Sequence, residues 1–463
     1  FTNSKSVRPL EILTLIILSG VLFALFNNKD RRLFLYLLLA AITSTILLYF
    51  VEGVRWQFLP ALYLLPFAYF IHRIQKGTVH FYVKSVLSLW FMIAVVLPWV
   101  IPIFILEEPD GEYAVGTETF HWIDSTRLEW FTPEDPADVR ELMVQVWYPA
   151  IKDHEKDPVT YMDHIQLRSK TLARAGKLPS FLPSHLDMIK TNSFLSIDFA
   201  ETKKTAPVLL FSHGITGSRH LHQVLFECLA SHGYIVIAPD HSYDCNLTIF
   251  PNGHIADYRS DITGHPDSVK IRRQQIDTRS RDIHFIIDQL ERIQQGSLSS
   301  KLNGKIDLER IAVGGHSYGG ATATVSTHQD KRIKACLVLD SWVSPVPKKI
   351  IDSGINVPFL FMGRPAWDGS DYPGNYPLLD SLMQNSAEPK YQLVIQNTEH
   401  LDYTDIPLYS PLIKYFMDVG DLSPDESLPL VNKLVYGFLE KHLSKKNPTI
   451  FDHALNNDII VIH

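Results

Sequence analysis

The stretch RIAVGGHSYGGATATVSTHQ, residues 310–329, holds four glycines between an apolar run and a run of small residues. The β-branched residues before the glycines favour a buried strand, and the small residues after them favour a tightly packed helix. Glycines on both sides of Ser317 permit the sharp turn that such a junction needs. The pattern predicts strand, turn and helix, with Ser317 raised above the end of the strand. Taken alone, Gly-x-Ser-x-Gly is also compatible with an ordinary glycine-rich turn.

Six further apolar runs recur from residue 142 onward. They are residues 142–150, 207–214, 234–241, 334–343, 358–363 and 391–400. Near-continuous apolarity of this length suits strands that are buried on both faces of a largely parallel sheet. Between two of the runs, Ile283, Ile286, Ile287 and Leu290 recur at helical spacing. Alternating strands and helices predict an α/β fold, a mostly parallel sheet with helices on both faces.

A different kind of sequence precedes these runs. Its apolar segments are residues 9–26, 33–51, 56–71 and 85–106. A helix needs about 20 apolar residues to cross the hydrocarbon core, so the third segment is short and the others are adequate. We therefore expect a transmembrane region of about four helices over residues 1–110, an α/β domain over 111–445 and a C-terminal tail over 446–463.

The charges of the predicted loops indicate how this region is oriented. The first–second and third–fourth loops hold six basic residues, Lys29, Arg31, Arg32, Arg73, Lys76 and Lys84. The opposite sides hold Lys5, Arg8 and Arg55, followed by the acidic stretch EEPDGE. The positive-inside rule then places both ends of the region outside, so the α/β domain is expected to be extracytoplasmic. This expectation depends on the third segment crossing the membrane.

The remaining composition narrows the possible partners. Residues 1–110 carry nine basic and six acidic residues, whereas residues 111–463 carry 34 and 44. An acidic domain without a basic stripe argues against nucleic acid as a partner. The three cysteines, Cys228, Cys245 and Cys336, show no metal or disulfide spacing. No metal or cofactor is implied.

Serine is a weak nucleophile unless a base and an orienting acid accompany it. Asp340 ends the next strand in LVLDSW, and His400 follows the last strand in VIQNTEHLDY. All three lie at carboxyl ends of strands and follow the order Ser, Asp, His. Asp340 as a turn residue and His400 as a surface histidine are the plainer alternatives.

An oxyanion requires two backbone N–H donors. We expect one from Tyr318, directly after the serine, and one from Ile215 in FSHGITGS, where His213 and Gly214 end an earlier strand. A simple His-Gly turn is the alternative for that loop.

Four motifs in this order carry a resemblance to a known family: FSHGITGSRHLHQVLFECLASHGYIVIAPDH, GHSYGGAT, LVLDSWV and TEHLDYTD. From about Leu142 to Leu443 the chain resembles the platelet-activating factor acetylhydrolases of the plasma and intracellular type II group. The resemblance implies an α/β-hydrolase fold and a calcium-independent serine esterase that cleaves short or oxidised sn-2 acyl groups from phospholipids. It also implies Ser317, Asp340 and His400 as triad, with the N–H groups of Ile215 and Tyr318 as oxyanion hole.

The same resemblance gives Trp342 as a residue of the acyl pocket, and we add His213 as a pocket candidate. Residues 151–205 match the family poorly, and their segment LPSFLPSHLDMI is expected to form a lid or lipid-facing insertion. Other ester, thioester, peptide or polyester hydrolysis on the same residues stays open. A non-catalytic membrane protein with a hydrolase-like binding domain is the more distant alternative. The natural substrate and the oligomeric state are left undetermined.

Overall fold

The computed structural model of the 463-residue chain describes residues 8–27, 30–75, 77–153, 155–201, 205–261, 265–367, 373–445, 449–456 and 460–462. The chain divides into two compact units. The first comprises Phe1–Ile105 with Leu408–Ile413, and the second comprises Leu106–Pro407 with Lys414–His463.

The first unit is helical. Its helices are α1 (Pro9–Asn27), α2 (Arg31–Val51), α3 (Leu59–Ile74) and α4 (Phe81–Val100). By length and composition, α1, α2 and α4 could each cross a membrane. Helix α3 has only 16 residues, the shortness already visible in its sequence. The predicted orientation depends on whether α3 spans, and it stays a prediction.

Apolar side chains cover the outside of this unit. Phe23, Leu39 and Phe50 expose 67%, 63% and 78% of their surface, respectively. So much exposed apolar surface is unusual for helices in water and suits contact with lipid.

The same unit contains a buried ion pair that the sequence analysis did not identify. Arg55, just before α3, donates from Nη2 to Oε2 of Glu11 at 2.6 Å and from Nε to Oε1 at 2.9 Å. Both side chains are fully buried. Because each charge would be costly without its partner, the pair fixes the first turn of α1 against the segment before α3.

The second unit is built on a mixed sheet of eleven strands in the order β13-β12-β11-β10-β9-β5-β6-β2-β1-β4-β3. The strands are β1 (Ala114–Leu128), β2 (Val139–Ala150), β3 (Pro158–Thr160), β4 (Lys190–Leu195), β5 (Ala206–Ser212), β6 (Ile235–Asp240), β7 (Leu247–Ile249), β8 (Ile255–Asp257), β9 (Ile306–His316), β10 (Ile333–Leu339), β11 (Phe359–Gly363), β12 (Lys390–Ile395) and β13 (Ile460–Ile462). Strands β7 and β8 form a separate hairpin. The central strands β6, β5, β9, β10, β11 and β12 are parallel.

Helices cover both faces of this sheet. They are α5 (Ile165–Ala175), α6 (Gln223–Ser231), α7 (Ser268–Gln294), α8 (Tyr318–Gln329), α9 (Lys348–Ser353), α10 (Asn375–Asn385), α11 (Pro424–His442) and α12 (Thr449–Leu455). Alternate residues of β5 point to opposite faces, so Val208 and Leu210 pack with α7 and α8, while Leu209 and Phe211 pack with α6 and α11. The predicted α/β class, including all seven predicted strands, is observed.

Several elements were not predicted. Strand β1 mixes polar and apolar residues and pairs antiparallel with β2, so it lacks the continuous apolarity of the central strands. The predicted insertion 151–205 holds β3, α5 and β4, and β4 pairs with the first residues of β1. The predicted tail 446–463 holds α12 and β13, which pairs with β12.

The turn between β9 and α8 has the predicted form. Ser317 adopts φ 57° and ψ −121°, a backbone conformation that is rare outside glycine. The glycines two residues before and after Ser317 have no space for a side chain. A Cβ on Gly319 would lie 1.9 Å from the Ser212 carbonyl oxygen. A Cβ on Gly315 would lie 2.3 Å from the Gly319 carbonyl. The glycines therefore let β5, β9 and α8 approach closely enough to impose this backbone on Ser317.

Replacing Gly319 with alanine is expected to destabilise the protein by about 3 kcal/mol, because the new methyl group must displace the β5 backbone. The measurement is the melting temperature of the purified protein in detergent. Gly374→Ala is the matched control, since a Cβ there would meet no atom within 4 Å. Equal melting temperatures for the two variants would contradict this packing.

Candidate active site

Three side chains meet at the carboxyl ends of neighbouring parallel strands. Ser317 follows β9, Asp340 follows β10, and His400 lies in the loop after β12. His400 Nε2 lies 2.9 Å from Ser317 Oγ, and its Nδ1 lies 2.5 Å from Asp340 Oδ2. The sequence places these residues far apart, and the parallel sheet brings them into one hydrogen-bonded chain. In this series of hydrogen bonds, His400 is placed to accept the serine proton while Asp340 orients the imidazole ring.

Asp340 is fully buried and its carboxylate is held on both oxygens. Oδ1 accepts hydrogen bonds from the backbone N–H of Arg364 at 3.2 Å and from Trp367 Nε1 at 3.1 Å. Burial acts to raise the pKa of Asp340, but the hydrogen bond and charge of His400, with the nearby Arg364 guanidinium, bring it below its usual value. Asp340 therefore remains ionised at neutral pH.

His316 directly precedes Ser317 in the sequence, and it contacts the backbone of His400. Its Nε2 lies 2.8 Å from the His400 carbonyl oxygen, and the two rings are 4.6 Å apart. Burial, reinforced by the charge of His400, lowers the pKa of His316 to about 3. The neutral ring must therefore carry its proton on Nε2 to bond a carbonyl, which fixes the His400 loop. No local sequence pattern reveals this contact, because 84 residues separate its partners.

The two predicted oxyanion loops flank Ser317. A Cβ on Gly214 would lie 3.2 Å from Ser317 Cβ, so this loop lies directly beside the serine. Within the described part of the chain, the backbone N–H groups of Ile215 and Tyr318 donate to no protein acceptor. Two adjacent donors without a protein acceptor are what binding of an oxyanion requires.

The two predicted pocket residues differ in their surroundings. The backbone N–H of Trp342 donates to the Ser317 carbonyl at 3.0 Å, and the Trp342 ring packs 5.7 Å from that of Tyr318. His213 is buried, with Nδ1 2.7 Å from the Gly214 oxygen and Nε2 accepting from the His241 N–H at 3.2 Å. Both nitrogens of His213 are thus used to hold the loop, while Trp342 lies beside the serine.

Residues 109–458 match the family described as platelet-activating factor acetylhydrolase, isoform II. This match covers most of the chain. The chain belongs to this family.

Two relatives carry the name of this family, and one solved structure shares the fold of the chain. A platelet-activating factor acetylhydrolase of Gallus gallus is 26% identical over 269 residues, which are 52% of this chain and 63% of the relative. The enzyme of that name from Canis lupus familiaris is 25% identical and is covered over 71% of its length. A ferulic acid esterase from Streptomyces cinnamoneus has a TM-score of 0.62 at 25% identity, over 77% of this chain and 98% of the esterase. The α/β-hydrolase fold that the sequence predicted is thereby confirmed.

Asp405, the last residue of the motif TEHLDYTD, joins the loop of His400 to the start of α6. Its Oδ2 accepts hydrogen bonds from the Gln223 N–H at 2.6 Å and from the Tyr161 hydroxyl at 3.1 Å. The N-terminus of α6 is therefore capped by a carboxyl group from a distant loop rather than by its own cap residue. No local pattern reveals such a contact, because nearly two hundred residues separate its partners.

One group of metal-ligating side chains lies near the oxyanion loop. Ligand atoms of His213, Asp240 and Cys245 lie within 4.8 Å of one another. His213 holds the loop as described, Asp240 pairs with Arg219, and Cys245 Sγ lies 2.9 Å from Thr248 Oγ1. The donor atoms of this group are thus engaged within the protein.

Replacing Asp405 with asparagine is expected to remove part of the pH dependence of stability. Burial raises the pKa of Asp405 to about 7. Between pH 4 and 7 the unfolded chain ionises this carboxyl while the folded chain keeps it protonated, so stability falls as pH rises, by about 1.4 kcal/mol per pKa unit. We therefore expect the melting temperature of Asp405→Asn, measured relative to that of the native protein, to be higher at pH 7.5 than at pH 5.

The control is Asp198→Asn, because Asp198 is exposed, has a lowered pKa and stays ionised throughout this range. A difference between Asp405→Asn and the native protein that is the same at both pH values would contradict the prediction.

Proposed function

We propose that this protein is a membrane-anchored serine esterase that hydrolyses carboxylic esters, above all short or oxidised acyl chains of phospholipids. The supporting observation is the set of hydrogen bonds that links Ser317, His400 and Asp340 at a strained turn. Beside it lie two N–H donors that have no protein acceptor among the described residues. The family and the names of its relatives favour an ester of this class.

In the first half of the reaction, His400 Nε2 takes the proton of Ser317 as Oγ attacks the ester carbonyl. The carbonyl oxygen becomes an oxyanion and accepts hydrogen bonds from the N–H groups of Ile215 and Tyr318. Asp340 stabilises the imidazolium that forms. The intermediate collapses, the bond to the leaving alkoxide breaks, and His400 returns its proton to that oxygen. The alcohol leaves and Ser317 carries the acyl group.

The second half repeats these steps with water. His400 takes a proton from water, hydroxide adds to the acyl carbonyl, and the same two N–H groups hold the oxyanion. The bond to Ser317 Oγ then breaks as the imidazolium returns its proton to the serine. The carboxylic acid is released, and the enzyme regains its starting protonation. No step requires a metal ion.

The helical unit supplies the proposed anchor. Helices α1, α2 and α4 have the length and the apolar outer surface of membrane spans. With the loop charges oriented by the positive-inside rule, the catalytic unit would face the extracytoplasmic side.

Hydrolysis of other carboxylic esters on the same residues is the second candidate. Its support is the ferulic acid esterase, whose chain is matched over 98% of its length. A panel of a short-chain phosphatidylcholine, methyl ferulate and p-nitrophenyl esters of increasing length distinguishes the two candidates. The favoured function requires the highest kcat/KM on the phospholipid.

Replacing Ser317 with alanine is expected to abolish labelling by a fluorophosphonate probe and to lower kcat on p-nitrophenyl acetate by at least about 10⁴-fold. The probe forms a phosphorus–oxygen bond to an activated serine and releases fluoride. Ser353→Ala is the control, since Ser353 lies on an exposed turn of α9. Labelling of folded Ser317→Ala at the native level would exclude the proposed function.

Replacing Phe181 with serine tests whether residues 151–205 contact lipid. Phe181 exposes 52% of its surface. Losing this apolar side chain is expected to reduce hydrolysis on phosphatidylcholine vesicles several-fold while leaving soluble p-nitrophenyl acetate unaffected. Leu128→Ser is the matched control, because Leu128 is an exposed apolar residue on β1. Equal losses of Phe181→Ser on both substrates would contradict a lipid-facing role.

A further inference from the structure

A single buried arginine lies behind both candidate oxyanion donors. Arg279, on α7, is fully buried. Its Nη1 donates to the His213 carbonyl oxygen at 2.6 Å, and its Nη2 lies 3.5 Å from the Gly214 carbonyl oxygen. On the opposite side the guanidinium forms an ion pair with the buried carboxylate of Asp244. One side chain thus connects α7, the loop after β5 and the segment after β6.

The face of the same guanidinium contacts the residue that supplies the other donor. Arg279 Cζ lies 4.7 Å from the centroid of the Tyr318 ring, within the range of a cation–π contact. The Tyr318 hydroxyl in turn donates to the Arg272 carbonyl at 3.1 Å, about two turns earlier on α7. The side chain of Tyr318, whose backbone N–H directly follows Ser317 in the chain, is therefore held along α7.

The contacts of the Gly214 carbonyl determine the direction of the Ile215 N–H, because both groups belong to one planar peptide. The Gly214 carbonyl and the Ile215 N–H belong to one planar trans peptide and point in opposite directions. The Gly214 oxygen faces Arg279 Nη2 and the His213 ring nitrogen, 2.7 Å away. The Ile215 N–H is therefore aimed away from both, and Gly214 brings this peptide against Ser317.

We infer that Arg279 is a positioning residue for the reaction, because its guanidinium fixes both backbone donors of the oxyanion hole at once. This inference rests on the proposed esterase function. An arginine is required because its planar fork bonds three carbonyls and a carboxylate while its face stacks on a ring. A lysine would keep the charge but lose most of these directed bonds. A misplacement of about 1 Å is enough to reduce a rate about 10²-fold.

The test compares Arg279→Lys with Arg140→Lys in the full-length protein in detergent. Arg140 is the matched control, since it is equally buried and paired with the buried Asp282 but donates to neither oxyanion loop. The readouts are melting temperature, kcat and KM on p-nitrophenyl acetate, and the affinity of a trifluoromethyl ketone. This inhibitor forms a hemiketal whose oxyanion requires the two N–H donors.

Arg279→Lys is expected to lower kcat about 10- to 100-fold with KM little changed, and to weaken ketone binding by the same factor. Arg140→Lys is expected to lose melting temperature while kcat and ketone affinity stay within about two-fold. Equal effects of both variants on kcat, or a native kcat and ketone affinity in Arg279→Lys, would overturn the inference.

If Arg279→Lys does not fold, Asp244→Asn replaces it, because it leaves the arginine in place and removes only the charge that anchors it. A parallel fall in kcat and ketone affinity supports the inference, and native values of both overturn it. Failure of the proposed function is separately visible, since the native protein would then show no Ser317-dependent hydrolysis or labelling.

Discussion

Ser317 holds a backbone conformation that a serine adopts only under constraint, and the surrounding sheet is organised to impose it. The β5 strand, the end of β9 and the start of α8 approach so closely that Gly315 and Gly319 have no space for a Cβ. A positive φ at a residue with a side chain costs of order 1–3 kcal/mol, which the packing of these three elements must offset. In return, the serine oxygen stands clear of the sheet, with the first N–H of α8 next to it. The remaining site residues are arranged around that fixed point.

The titratable residues around Ser317 are held in different protonation states. Asp340 is kept ionised by donors on both oxygens, whereas His316 and His213 are kept neutral by burial and hydrogen-bond carbonyl groups. Neutral rings add no competing positive charge beside His400, so the aspartate has one imidazolium partner to stabilise. The guanidinium of Arg364 forms ion pairs with Asp340, Glu399 and Asp418.

The sequence was sufficient for the parts that depend on local pattern and chain order. Buried parallel strands reveal themselves by continuous apolarity, and residues at their carboxyl ends must share one edge of the sheet, which is why Ser317, Asp340 and His400 could be selected together. Trp367, Arg279 and Asp405 could not be found in this way. Each acts through a contact with a distant segment, and neither an arginine in a helix nor an aspartate in a loop has a pattern that reveals its partner. Glu11 and Arg55 were missed for the same reason.

Strand β1 was not predicted because its residues are mixed in polarity. The same mixed polarity also affects how the edge of this strand can interact with other molecules. Beyond Thr117 its pairing in the described chain is with β2 alone, so its other side presents unpaired backbone groups. A long exposed strand edge is a template on which a second molecule can add a strand and start an aggregate. Glu118 and Arg127, both partly buried, place charged groups along this part of β1. Polarity that hides the strand from a hydropathy pattern thus also protects the folded protein from edge-to-edge association.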